Sequence, residues 1–211
     1  MANAVDSPSL LVFGAVSKAP KDDYLARLRL YLFAHEDLTL FKQEITDFPK
    51  LWEMYSSQNN NLKALDHGLS SLEALSEWVN VGTTHKLIEP KFGILTLPLL
   101  TIIEVVQYFQ FLQKSQLSHR DVLSHVGKGA GIQGYCGGLL AACAVAVSGD
   151  EVELVKIACK ILRLAVGIGA YGDLGDSHSS KGPLTAVAAR LAEEDQMNEI
   201  AREFPAVSHL C

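Results

Sequence analysis

Residues able to do covalent chemistry concentrate at positions 131–140, which read Gly-Ile-Gln-Gly-Tyr-Cys-Gly-Gly-Leu-Leu around a Gly-x-Cys-x-Gly core. That order fits a nucleophile elbow with sulfur in place of oxygen, in which a strand reverses sharply into a helix and strains the nucleophile's backbone. Gly134 and Gly138 remove the side chains that would clash across so tight a reversal. Cys136 would then stand at the N-terminus of the next helix, where unbonded N–H groups and the dipole favour the reactive thiolate. The N–H of Gly137 would face a developing oxyanion. In a chain with sixteen glycines, the same five residues also fit a buried turn without chemistry.

The flanking elements favour the chemical reading. Residues 139–147 are apolar on every side and mostly small, which predicts a helix buried against a sheet. Residues 9–13 are a short apolar run closed by Gly14, the signature of a buried strand. Tyr24, Leu28 and Tyr31 stand at helical spacing behind an acidic first turn, so residues 22–33 are predicted to form an amphipathic helix covering that sheet. Residues 38–48 fit a strand or a short helix. Phe48-Pro49-Lys50-Leu51-Trp52 reads as a packing corner, and Asn59-Asn60-Asn61 as a turn or a cap. Leu62, Leu65, Leu69, Leu72 and Val79 mark one long helix, weakened at Gly68 and ended near Gly82. Residues 92–112 have the length of a membrane span. Pro98, however, stands where a helix would begin, and Glu104, Gln107 and Gln110 interrupt the hydrocarbon, so a buried helix backing the nucleophile is predicted. Past the elbow, Ser148 and Glu151 have capping-box spacing. A helix follows with Val152, Val155, Cys159, Leu162 and Val166 on one face. Residues 172–182 lack periodicity and read as a loop. Residues 184–189 fit a strand and 193–204 a helix.

The Gly134-Tyr135-Cys136-Gly137-Gly138 turn and its small-residue helix resemble the starter-unit acyltransferase (SAT) domain at the N-terminus of fungal non-reducing polyketide synthases. Three further segments agree in order and spacing: Leu10-Leu11-Val12-Phe13-Gly14, Phe48-Pro49-Lys50-Leu51-Trp52, and Leu97-Pro98-Leu99-Leu100 leading into Val105-Val106-Gln107-Tyr108-Phe109. The second of these is closer to the family's carbon-methylating branch. The resemblance implies an α/β fold: a helix-rich, acyltransferase-type α/β-hydrolase-like core with a short parallel sheet and nucleophile elbow, lacking the complete ferredoxin-like small lobe. It divides the chain into a large acyltransferase subdomain (1–175), a linker (176–183), and a return strand, helix and start of the small lobe (184–211).

The activity implied by the resemblance is ping-pong acyl transfer. Cys136 would attack an acyl thioester, with the oxyanion held by the Gly137 N–H and one from the loop of Gly14, Ala15 and Val16. The acyl-cysteine would then pass its acyl group to the phosphopantetheine thiol of an acyl carrier protein domain. Acyl-CoA or a fatty acid or polyketide synthase would be the donor, and the rest of the polyketide synthase a partner in cis or in trans. This chain has Val16 where the family typically carries a glutamine, which keeps the backbone donor and loses the side chain. Related malonyl-loading enzymes clamp a carboxylate with an arginine at the position that aligns with Ile161. Arg163 lies on another side of the helix and is expected to face solvent. Tyr135 and Ile161 are accordingly expected to line a pocket for an uncharged acyl chain.

With 211 residues, 48% hydrophobic and 20% charged, the chain can bury one sizeable core. A net charge of -6 and the lack of any Lys/Arg run argue against nucleic acid or a membrane as partner. Cys136, Cys143, Cys159 and Cys211 show no metal-site spacing and no secretory signal precedes them. Reduced thiols in the cytoplasm, with no bound metal or cofactor, are expected. Cys143 and Cys159 are expected in the core.

A thiol nucleophile needs a base, most often histidine. The histidines are His35, His67, His85, His119, His125, His178 and His209. The resemblance puts the base beyond the small lobe, so none of these is expected to serve, and the chain reads as the front portion of a starter acyltransferase. A sheet short of its last strands would expose an edge and an apolar face. Two other readings stay open. One is a non-catalytic module that docks a carrier protein. The other is a cysteine α/β hydrolase or thioesterase using Asp173 and His178, which follow the elbow in the required order but fall in one short loop.

Overall fold

The computed structural model describes residues 10–14, 20–87 and 92–178, with side chains to residue 175. Strands β1 (Leu10–Phe13) and β2 (Gly131–Gly134) pair in parallel, Leu10 opposite Gly131 and Phe13 opposite Gly134. Parallel neighbours need a crossover connection. Here it comprises α1 (Asp22–Ala34), α2 (Thr39–Thr46), α3 (Phe48–Gln58), α4 (Asn60–Lys63), α5 (Gly68–Val81), α6 (Gly93–Ser115) and α7 (His119–Gly127). Helix α8 (Gly138–Val147) leaves β2, and α9 (Glu151–His178) follows it. The result is a helix-rich α/β arrangement with a short parallel sheet. The elements expected at 184–211 lie outside the described residues, as do Ala15 and Val16.

Helix α6 is the central element. It packs lengthwise on α9 and touches α1, α5 and α8, which is why its apolar residues are not confined to one stripe. Among the described residues it is the one helix long and apolar enough to cross a membrane, and 67% of its most apolar window is inside the fold. Pro98 lies within α6 rather than at its start. It falls just past the first turn, whose N–H groups have no helical partners in any case, so the ring frees only the Ile94 carbonyl.

The start of α6 is fixed from α9. Asp173 accepts the Gly93 N–H at 2.6 Å and the Ile94 N–H at 3.0 Å, and the His67 Nε2–H donates to it at 3.2 Å. The two backbones touch here: a Cβ on Gly169 would stand 2.4 Å from Gly93 O. The same contacts correct the loop predicted at 172–182 over its first seven residues, 179–182 lying outside the described residues. Ala170 and Leu174 extend the buried stripe of Val166, and α9 runs on to His178.

Other expectations shift for local reasons. Residues 38–48, open between strand and helix, form α2 and the start of α3, where Pro49 in the first turn sacrifices no helical bond. The long helix predicted from Leu62 to Val79 is two helices. Asn59 caps α4 by accepting the Asn61 N–H at 2.9 Å. Gly68 opens α5 because the Trp52 ring occupies the space that a side chain would need. Helix α1 lies against α6 and α2 rather than over the sheet. The cap of α9 is displaced by two residues: the Glu153 N–H donates to Asp150 Oδ1 (2.9 Å) and the Gly149 N–H to Glu153 Oε2 (2.7 Å).

Candidate active site

Tyr135, Cys136 and Gly137 make the whole reversal between β2 and α8. The Tyr135 N–H donates to Phe13 O at 2.9 Å, which ties the turn to the end of β1. The N–H groups of Gly138, Leu139 and Leu140 then donate to the carbonyls of Tyr135, Cys136 and Gly137 at 3.0, 3.1 and 3.1 Å. The Gly137 N–H has no acceptor among the described residues.

Cys136 has φ of 53°, in the left-handed region. Gln116 shares that conformation, φ 54°, but as the C-cap of α6, where it is ordinary. Cys136 precedes a helix, where no cap requires it, and such a conformation costs about 1–3 kcal/mol. The flanking glycines relieve the crowding. A Cβ on Gly134 would come to 2.5 Å from Leu139 Cα, and one on Gly138 to 2.6 Å from Phe13 O. Helix α6 lies beneath, with Leu97 Cδ1 3.1 Å from where a Gly137 Cβ would be. The thiol of Cys136 is exposed.

Helix α8 is buried on one side only. Ala141, Ala142, Ala144 and Val145 face the core, while Leu139 and Val147 are exposed. Cys143, expected in the core, is exposed as well; a helix of small residues packs closely enough on one side to leave the other uncovered. Cys159 is buried as expected, and burial, with the Glu44 carboxylate adding, pushes its thiol up to about 12.

Gly134, Tyr135, Cys136, Gly137 and Gly138 are brought together by the turn. Tyr135 is 60% exposed, with its hydroxyl donating to Gln133 Oε1 at 3.2 Å. Ile161 stands apart on α9, half-buried against the core. Arg163 faces solvent as expected, its side chain 54% exposed, and its guanidinium also donates to Glu44 through two bonds of 2.7 and 2.8 Å.

The histidines with described partners are engaged elsewhere. His35 Nδ1–H donates to Tyr31 O, and His67 is held by Asp173 and stacked on Phe92. His119, fully buried, receives the Tyr108 hydroxyl at Nδ1 (2.8 Å) and donates from Nε2 to Ser148 O (3.0 Å). Burial, reinforced by Glu151, holds the Tyr108 hydroxyl well above its ordinary range. Asp173, considered above as a triad acid, is occupied by the α6 N-terminus.

One residue of the site's underside escaped notice as more than an interruption in an apolar run. Glu104 on α6 is 5% exposed, and neither carboxyl oxygen has a hydrogen-bond partner among the described residues. Its Oε1 would lie 2.9 Å from a Cβ on Gly138. Burial pushes the carboxyl up to about 7. The sequence signal was available: a lone charge inside a helix otherwise apolar on all sides must be buried with it. No cluster of three or more His, Cys, Asp or Glu able to hold a metal occurs among the described residues.

A family model described as the starter unit:ACP transacylase in aflatoxin biosynthesis matches residues 44–206. A non-reducing polyketide synthase of Stereocaulon alpinum is 43% identical over 203 residues, covering 96% of this chain and 8% of that protein. One of Acremonium egyptiacum is 35% identical over 94% of this chain and 9% of its own length. The methylphloroacetophenone synthase of Cladonia uncialis is 34% identical over 92% of this chain and 8% of its own length. The chain thus spans less than a tenth of the length of the curated relatives it matches.

Proposed function

The chain belongs to the starter unit:ACP transacylase family, and from that premise we propose that it is the loading portion of a multidomain polyketide synthase, with Cys136 as nucleophile. The observation that carries this reading is the backbone of Cys136: an exposed thiol at φ 53°, between a parallel strand and a helix. Read as a nucleophile elbow of a hydrolase-like core, the turn presents sulfur to an acyl thioester. The tetrahedral oxyanion then lies beside the Gly137 N–H, which has no other described acceptor. Ala15 or Val16 would supply the second donor.

Collapse of the tetrahedral adduct breaks the carbon–sulfur bond to the donor and releases CoA or a carrier phosphopantetheine as a thiol. The acyl-cysteine that remains is attacked by the phosphopantetheine thiol of an acyl carrier protein, which restores Cys136. The acyl group is uncharged in this reading, because Ile161 offers no positive clamp and Arg163 is committed to Glu44. Metal and bound cofactor have no assigned step.

A second reading is favoured by the engagement of His35, His67 and His119 away from the turn. In it the chain docks a carrier protein without turning over. Intact mass after incubation with a panel of acyl-CoAs, beside Cys136→Ala, separates the two. A stable adduct on the native chain alone is expected, and the chain length that accumulates identifies the starter class. A folded sample that takes up no acyl group from any donor overturns the catalytic reading and leaves the docking one.

A further inference from the structure

Helix α6 meets the turn through two leucines. A Cβ on Gly137 would stand 3.1 Å from Leu97 Cδ1 and 3.5 Å from Leu100 Cδ1, so both side chains lie against the residue bonded to Cys136. Any larger residue at 137 would come between them and the turn. Leu97 and Leu100 stand three positions apart, which puts them side by side on one face of the helix. Their neighbours Leu99 and Ile102 are sealed in the core, whereas Leu97 and Leu100 are half-buried and leave part of their surface uncovered. The same stretch of α6 is bare of charge, from Gly93 to Ile103. Its two threonines turn their hydroxyls back on the helix, Thr96 donating to Phe92 O at 2.8 Å and Thr101 to Leu97 O at 2.9 Å. The surface that α6 brings to the turn is therefore hydrocarbon.

We propose that Leu97 and Leu100 form the wall on which the acyl chain lies once its carbonyl is held at the Gly137 N–H, and that this wall selects a saturated hydrocarbon chain over one bearing a carboxylate or a keto group. The inference rests on the reading of Cys136 as the nucleophile and deepens it, assigning chain selection to α6 rather than to Ile161, which stands on α9 half-buried against the core. Fixing the carbonyl oxygen at the residue that both leucines touch keeps the first carbons of the chain within their reach, because consecutive Cα atoms lie only about 3.8 Å apart. Each methylene laid on the leucines leaves water at a gain. A carboxylate or keto oxygen in its place would give up its water without meeting a donor. The two leucines span about 4.5 Å of helix axis, so selection is concentrated in roughly the first four carbons beyond the carbonyl.

The test labels Cys136 on the full chain with alkyl methanethiosulfonates of increasing length, which transfer an alkylthio group to the thiol and release methanesulfinate without any enzymatic step. Fragment masses locate the label, with the exposed Cys143 as internal reference. Relative to Cys143, the Cys136 rate is expected to rise about two-fold per added methylene from methyl to pentyl and then to level off, and the sulfonatoethyl reagent is expected to lag at Cys136 more than at Cys143. Leu97→Asn and Leu100→Asn, near in size and polar, are each expected to flatten the rise at Cys136 and leave Cys143 unchanged. A rise that both variants leave intact overturns the proposal. Should they not fold, Leu100→Ala is expected to cut the rise by about half. If no variant folds, the native chain decides: a flat series at Cys136, or an equal rise at Cys143, overturns the proposal. Acyl-adduct formation from acyl-CoAs is scored separately. A length-dependent series without adduct sinks the transfer reading alone, and adducts whose chain-length distribution Leu100→Asn leaves unchanged sink this one alone.

Discussion

Glu104, 5% exposed and without a hydrogen-bond partner among the described residues, ties the stability of the fold to pH. Its carboxyl is pushed from an ordinary value of 4.5 to about 7 in the folded chain. Between those values the native state binds the proton more tightly than the unfolded chain, so stability falls as pH rises. The contribution is complete below pH 4.5 and lost above about 7, and two and a half units correspond to about 3 kcal/mol. Urea midpoints at pH 5 and pH 8 are expected to fall in the native chain and to stay level in Glu104→Gln. Equal slopes in both would assign the pH dependence to other groups. At this scale the sequence was informative about Cys136 and its glycines, because a reversal this tight admits so few residue types. For Glu104 the sequence signalled burial, as a charge within an apolar helix, and not the lack of a partner that makes the carboxyl unusual. Only packing reveals that.

Among the elements, the pairing of α6 with α9 organises the rest. Asp173 donates no hydrogen bond of its own to α6 but accepts two from it, and loss of a cap of this kind costs about 1–2 kcal/mol. Asp173→Ala is expected to lower stability by that amount, and Asp173→Asn by less. Thermal melts of both variants check this, and equal effects would point to His67 rather than the cap. Helices α1, α6 and α9 were legible from their apolar spacing, since a stripe survives whatever the helix packs against. The end of α9 was not. Residues 172–178 look like a loop because Gly172 and Gly175 weaken local helix propensity. Packing against α6 overrides that preference, as the Gly93–Gly169 approach shows. The misread capping box at Ser148 has the same origin: Ser148 turns inward, its hydroxyl donating to Ala144 O at 2.6 Å, and Asp150 caps α9 instead.

For the whole molecule, the α/β class and the family were within reach of the sequence, because the turn, its small-residue helix and the opening strand recur as a set. The exposed side of α8 and the crossover's helical content were not, since both depend on which surfaces meet. One feature of the topology bears on how the protein comes into being. The two strands are adjacent in space yet separated by all of α1 to α7, so their pairing closes a very long loop and comes late in folding. Leu11→Ala in β1, where Leu11 packs on the core, is expected to speed unfolding and leave the refolding rate nearly unchanged. Stopped-flow fluorescence of Trp52 and Trp78 measures both, and a slowed refolding phase would contradict a late-docking strand. Cys136 therefore reaches its left-handed backbone in a turn whose anchor on Phe13 forms only when β1 meets a strand more than a hundred positions further along the chain, so the site is assembled together with the longest-range contact of the fold.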